Sequence, residues 1–567
     1  MAVTTPDSTT SSNVSTFDKE SWVMRAGIIL AGLFLLVAII LPLYTMLSKS
    51  FEDHDGGYIG LANFEKYFST PALFYSIENS LTVAVIATTI VSLLAFFFAY
   101  SLTRTCVKFK GFFKIIALAP LLAPSLLPAI SFVYMFGKKG YMRDVLLGES
   151  IYGPIGIVLG SAFWTFPHAM LIMITALSIS DARLYEAAAA LRTSKMRTFF
   201  TVTLPGAKYG LISAVIVVFT LVITDFGVPK VIGGKYNVLA TDIYKQVIGQ
   251  QNFQMGAVVS MVLLIPAIVA FTIDRIVQRR QVALLSARAV PYAPSPMKGR
   301  DLAALIYCSI ITIMILLVLG TAAYASFITF WPYNLSFTLD NYNFNVMDGG
   351  GWEAWRNSIK LGAWTAAIGS ILVFTVAYLV EKGRGFGSGR LLIQMMAMIP
   401  LAVPGLVLGL SYIFFFNNPA NPFNFIYGTM IILVVSTVAH FYTVTHLTAT
   451  TALKQMDIEF EAVSSSLKVP FWRTFARVTV PVCQPALFSM AVYLFMNAMT
   501  TVSAVVFLYS PETTLASVAV MNMDDAGDIA PAAAMAMVIV ATNIVVIILH
   551  TLLSRWVEKR TQAWRKR

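Results

Sequence analysis

Charge is the first thing this sequence has little of. Only 12% of its 567 residues are Asp, Glu, Lys or Arg, while 57% are hydrophobic; a soluble chain of ordinary composition carries about 25% charged residues. Too little polar surface remains to face water, which excludes a soluble globular fold. Cysteine is nearly absent. Cys106, Cys308 and Cys483 stand far apart, in or beside apolar segments, which excludes a disulfide framework or a zinc cluster and reads as three small buried hydrophobes. The five histidines, His54, His168, His440, His446 and His550, include no i,i+4 pair, and no nucleophile-plus-base motif accompanies them. That argues against a membrane enzyme. The motif G-x-x-x-x-G-K-[ST] is missing too; Gly234-Lys235-Tyr236 lacks both the upstream glycine and the hydroxyl, so the chain builds no phosphate cradle. No metal or cofactor site is expected.

Apolar runs take up the space. A bilayer core needs about 20 mostly apolar residues per helix, and twelve such runs are read at 27–47, 79–103, 111–136, 152–179, 209–228, 254–277, 301–325, 357–381, 391–416, 425–450, 482–507 and 531–554. The fold class is therefore an all-α polytopic membrane protein. Residues 1–20 are polar and Ser/Thr-rich, and the first apolar run is too long for a cleaved signal; 1–26 is expected to be a cytoplasmic tail.

The formal net charge of +12 does not point to nucleic acid, because the cations cluster in short loops between apolar runs. Segment 278–300 holds Arg279, Arg280, Arg288, Lys298 and Arg300 without an acid, and 555–567 is equally basic. Segment 508–530 has Glu512, Asp524, Asp525 and Asp528 without a cation. Basic loops and less basic loops alternate, which places both termini in the cytoplasm.

The chain is a duplication. Residues 197–205 read RTFFTVTLP and residues 473–481 read RTFARVTVP, six of nine identical at an offset of 276. Asn79-Ser80 is echoed by Asn357-Ser358, and Pro120-Leu-Leu-Ala-Pro124 by Pro400-Leu-Ala-Val-Pro404. Two six-span repeats follow, 27–277 and 301–554, with 278–300 as a cytoplasmic linker and 555–567 as a basic tail. An even span count keeps both copies in one orientation, so the repeat is parallel, about an axis along the membrane normal. The paired prolines can kink spans 3 and 9; proline is also simply common in transmembrane helices, and that plainer reading is preferred.

The loop between the fourth and fifth spans of each half carries a short amphipathic helix. Asp181 is a candidate N-cap, and Leu184, Ala187, Ala188 and Leu191 fall on one face at i, i+3, i+4 and i+7. In the second copy Asp457 precedes Phe460, Val463, Ser464 and Leu467 at the same spacing. Pro205 and Pro481 suit the start of the following span, where a missing N–H costs nothing. Such a helix can lie on the bilayer or on its own protein, but its recurrence at equivalent places favours a duplicated docking element.

Asp181-x-x-Leu184-x-Glu186-Ala187-Ala188, followed by Leu191, Arg197-Thr-Phe and Thr203-Leu-Pro205, resembles the EAA loop of ATP-binding-cassette importer permeases, the type I fold of two six-helix units. The resemblance implies two copies of a separate ATPase subunit, each with a cleft that receives one loop helix, and a soluble binding protein that delivers the solute. It implies ATPase-coupling roles for these residues and for Asp457, Phe460, Glu461, Val463, Ser464, Leu467, Arg473 and Pro481, and a bacterial inner-membrane location. Two departures stand out. The family glycine after the triplet is Arg192 in one copy and Lys468 in the other, which puts the left-handed turn in question. The second copy has Ala462 where the family has Glu, with Glu461 one residue early, about 100° around the helix. Unequal coupling is expected, with Glu186 the more important acid.

The stretch from Ser464 to Pro481 and the one from Asn497 onward resemble the fused permease of 2-aminoethylphosphonate importers, a group close to iron(III) permeases. Phosphonate is thus the first substrate expectation and iron(III) the alternative. The one acid near a span interior is Asp225, read either as lining the path or as capping the turn at Gly227. The resemblance places Asp225 and Phe226 on the path, with Thr500 and Thr501 as the counterparts of Asp225 in the second half. An ion-coupled secondary carrier is the rival class, but such carriers need carboxylates or histidines within the spans, and here most span interiors lack acids. His440 and His446 read as polar glue between helices.

Overall fold

The computed structural model describes residues 13–178, 181–283, 292–383, 386–457 and 459–561. The ends of both expected tails, and 284–291 of the linker, lie outside the described residues. Among the described residues eight straight helices are long and apolar enough to cross a membrane: Trp22–Lys49, Pro71–Arg104, Pro154–Ser178, Lys195–Ile223, Phe253–Gln278, Lys298–Ser326, Gly351–Lys382 and Ile529–Val557. Four bent pairs complete twelve spans, each pair counted once, and their order matches the twelve apolar runs.

The sharpest bends lie where the prolines pair. Span 3 breaks by 102° between Lys110–Leu122 and Leu126–Phe136, and span 9 by 113° between Gly387–Ala402 and Gly405–Phe416. Ala123, just before Pro124, and Val403, just before Pro404, are both extended, because the proline ring excludes the helical region for the residue ahead of it. The plainer reading of these prolines does not hold; they divide their spans.

Pro205 and Pro481 stand in the first turns of Leu204–Ile223 and Val480–Val482, as expected, but neither segment begins from a loop. Lys195–Ile223 runs continuously through Pro205, and a π turn, Phe199–Thr203, stands directly before it. The same turn recurs at Phe475–Thr479 before Pro481. The wider turn accommodates a residue that can neither donate its N–H nor tolerate a tight carbonyl behind its ring. In the second copy a bend of 74° follows between Phe471–Val482 and Gln484–Thr500, with Pro485 in the first turn after it.

The repeated Asn-Ser pair has a structural task. Asn79 Nδ2 donates to the Asn237 carbonyl at 2.9 Å, and Ser80 Oγ accepts from the Leu239 N–H at 2.8 Å. Asn357 Nδ2 donates to the Glu512 carbonyl at 2.9 Å, and Ser358 Oγ accepts from the Ala516 N–H at 2.8 Å. Each pair ties its span to the start of a short buried helix, Leu239–Tyr244 in one half and Ala516–Ala526 in the other. An unpaired N–H at such a helix start is costly away from water.

The halves interlock. The first span packs on Gly351–Lys382 and on both arms of span 9, and span 7 packs on Pro71–Arg104 and both arms of span 3. Tyr412 Oη donates to the Ala38 carbonyl at 2.7 Å, and Tyr307 Oη to that of Leu94 at 2.8 Å. Each repeat therefore lends its first helix to the other. Span 7 leads into a small antiparallel hairpin, β1 (Ile328–Phe330) and β2 (Asn334–Phe337), paired Ile328 to Phe337 and Phe330 to Asn334.

Two exposed loop helices and an axial cavity

The loop helices stand at one end of the bundle, the end that also holds Arg104, Tyr292 and Lys382. The first is Ala182–Ala190. Asp181 caps it as expected, Oδ1 accepting from the Arg183 N–H at 3.1 Å, and Asp457 does the same for the second, accepting from the Glu459 N–H at 3.1 Å. Among the described residues, little covers the apolar face. Leu184, Leu191, Phe460, Val463 and Leu467 are exposed, Leu191 at 80% and Leu467 at 70%. Ala187, Glu186, Arg197 and Arg473 are also exposed, while Ala188 is buried and Ser464 half-buried, its hydroxyl bonded to Thr474.

The glycine substitutions leave the turn intact. Arg192 and Lys468 both adopt the left-handed conformation, with φ of 50° and 52°. The Thr193 N–H donates to the Ala188 carbonyl at 2.9 Å and the Arg192 N–H to that of Ala189 at 3.0 Å; Val469 donates to Ser464 at 2.9 Å. These are Schellman bonds. The motif's geometry survives without its residue.

Each helix is tied to the end of the second span of its half by different chemistry. In the first half the buried Arg104 guanidinium lies 5.1 Å from the Tyr185 ring centroid and 4.7 Å from that of Tyr292, and its Nη2 donates to the Leu177 carbonyl at 2.5 Å. Lys382 is the counterpart of Arg104, and Glu461, at the offset of 276, the counterpart of Tyr185. Lys382 and Glu461 form an ion pair of 2.6 Å. Glu461 thus points inward and does not take the outward place of Glu186, as its displacement around the helix implied.

A cavity of about 390 Å³ lies between the halves. Equivalent residues line it from both sides: Pro120 and Pro400, Thr224 and Thr500, Asp225 and Thr501, Gly227 and Ser503. It therefore sits on the pseudo-twofold axis, at the breaks of spans 3 and 9. All four sequence-expected path residues, Asp225, Phe226, Thr500 and Thr501, line it. Asp225 caps the turn at Gly227 and also lines the cavity. Its Oδ1 accepts from the Gly227 N–H at 3.2 Å and its Oδ2 from the Val228 N–H at 3.3 Å, and it is buried at the cavity wall. Phe226 packs on Tyr244 with centroids 5.1 Å apart.

Sequence reasoning missed Trp164, His168, Tyr493 and Asn497 on this wall, and treated His440 as glue although it lines the cavity. The signal was present. Trp164 and His440 occupy equivalent positions at the offset of 276. His446 lies elsewhere, buried and stacked on Tyr442 with centroids 5.8 Å apart. No Lys or Arg is among the residues lining the cavity, and no cluster of three or more His, Cys, Asp or Glu suited to a metal occurs among the described residues.

Two interlocked six-span repeats around a shared cavity suit a membrane permease, and the family match gives that class. The chain belongs to the family described as binding-protein-dependent transport system inner membrane component, whose model matches twice, at residues 106–282 and 382–559. A ferric transport system permease protein of Actinobacillus pleuropneumoniae is 27% identical over 83% of this chain and 70% of its own length. A provisionally named ferric transport system permease protein of Haemophilus influenzae is 29% identical over 77% of this chain and 70% of its own. A provisionally named 2-aminoethylphosphonate transport system permease protein of Salmonella choleraesuis is 26% identical over 46% of this chain and 98% of its own.

Proposed function

We propose that this chain is the whole transmembrane path of an ATP-driven importer and that its substrate is iron(III) rather than a phosphonate. Two copies of an ATPase subunit seat the loop helices from the cytoplasm, where both termini also lie, and a soluble binding protein delivers the solute at the opposite end. The observation that carries the coupling role is the pair of exposed apolar helix faces at equivalent places at one end of the bundle. Bulky Leu184 and Leu191 flank small Ala187 and Ala188, a shape that admits close approach of another surface.

Two observations support iron over phosphonate. Two ferric relatives match across both halves, whereas the phosphonate relative reported above matches less than half of the chain. The cavity also presents the Asp225 carboxylate, hydroxyls and an amide without a Lys or Arg, beside the imidazoles of His168 and His440, and a hard cation prefers oxygen ligands. A single carboxylate gives a weak site, as a passage requires.

The test is uptake into proteoliposomes holding the chain, its ATPase and its binding protein. ATP-dependent accumulation of iron(III), outcompeting 2-aminoethylphosphonate, is expected; accumulation without ATP would instead reveal an ion-coupled carrier. Asp225→Asn keeps an oxygen for the Gly227 cap and removes the charge, so it should slow uptake at unchanged thermal stability. Unchanged uptake would remove Asp225 from the path.

A further inference from the structure

Span 7 and the hairpin enclose a second groove, remote from the axis. Leu317, Gly320 and Tyr324 of the span, Trp331 and Leu335 of the hairpin, and Tyr141 from the loop after span 3 line a space of about 470 Å³. Gly320 faces open space: nothing lies within 4 Å of the place its Cβ would take, although glycine inside a helix is disfavoured relative to alanine. The groove runs on into the stripe Ile306, Ile310, Ile313 and Met314, all exposed. On a transmembrane helix such a stripe meets acyl chains.

Its far rim is polar and basic. Tyr141 Oη and Thr321 Oγ1 share a hydrogen bond of 2.7 Å, and the Trp331 indole N–H donates to the Lys139 carbonyl at 3.0 Å. Lys139 Nζ stands 4.5 Å from the Tyr333 ring centroid. Lys138 and Arg143 are exposed beside it, and between 138 and 144 these three cations face one acid, Asp144. The hairpin exposes Phe330, Tyr333 and Phe337, side chains suited to the headgroup level of a bilayer.

We propose that this groove binds an anionic phospholipid, one acyl chain lying along Gly320 and the phosphate meeting Lys138 and Lys139. An apolar slot open to the lipid-facing stripe at one end and basic at the other matches that molecule along its length. A protein partner would have to enter sideways through the hydrocarbon.

The test is native mass spectrometry of the full chain, released from detergent after incubation with phosphatidylglycerol or phosphatidylcholine. Wild type should retain phosphatidylglycerol in preference. Gly320→Phe, which fills open space, should abolish retention, and Lys138→Gln with Lys139→Gln should weaken it roughly tenfold. Equal retention of both lipids, or phosphatidylglycerol binding unchanged in Gly320→Phe, overturns the proposal. So would a Gly320→Phe chain that keeps its lipid but loses affinity for the soluble binding protein.

Discussion

Lys382 Nζ lies 2.6 Å from Glu461 Oε1, the lysine side chain 10% exposed and the glutamate 30%. In the first half the equivalent positions hold Arg104 and Tyr185, joined face to cation with Tyr292 of the linker as a second wall. The two loop helices share one attachment point but not one kind of bond. Removing Glu461 strands a largely buried ammonium, so Glu461→Ala should cost about 1–2 kcal/mol of stability. Glu186, exposed and outside that anchor, should behave the opposite way: Glu186→Ala lowers ATP-dependent uptake at unchanged melting temperature. Parallel measurement of uptake and unfolding separates the two. Equal uptake losses at equal stability would count against the assignment.

How much of this was legible follows from what each feature depends on. Twelve spans could be read because a bilayer demands long apolar runs, and the duplication because RTFFTVTLP and RTFARVTVP retain their spacing. That Glu461 would not stand where Glu186 does followed from one residue of helical rotation. The cavity was not legible as a whole, since Trp164, His440, Tyr493 and Asn497 come from separate spans and meet only after folding. Nor were the breaks in spans 3 and 9: Pro120 and Pro124 permit either a mild kink or a division, and packing around the axis selects between them.

Arg192 and Lys468 occupy a backbone region where a Cβ is crowded. Gly at either position relieves that crowding, so Arg192→Gly and Lys468→Gly should each stabilise the chain by ~0.5–1 kcal/mol, net of the added freedom of the unfolded state. Arg192→Val should destabilise it. Thermal unfolding of the three variants is the measurement, and a destabilising glycine would mean that the cation, through the helix C-terminus, outweighs the turn.

At the cavity wall a Cβ on Gly227 would fall on the Ser125 hydroxyl, and one on Gly405 would fall on that of Ser503. These are equivalent contacts with the small and the larger partner exchanged between the halves. Gly227→Ser alone should cost ~1–3 kcal/mol through overpacking, and Ser125→Gly alone less. Combining them recreates the second half's arrangement in the first, so the double variant should recover much of the loss. A double-mutant cycle reads this directly; additive losses would show that the exchange is accidental.

At the end opposite the loop helices, Lys230 of the first half pairs with Asp525 of the second at 3.0 Å. Asp524 lies beside this bridge, and burial, reinforced by the Asp525 carboxylate and opposed by Lys230, pushes its carboxyl up to about 6. The unfolded chain holds the same carboxyl near 3.8. Between these values the folded chain binds a proton that the unfolded chain does not, so this group's contribution to stability rises as the pH falls from about 6 toward 4, and above 6 its ionised form is a constant burden. Asp524→Asn removes the burden while keeping the shape. Its melting temperature should exceed wild type at about pH 7.5, with the gain shrinking to nothing near pH 4. A gain of the same size at both pH values would mean that the carboxylate's charge is not its cause, and the link between protonation and the junction of the two halves would fall.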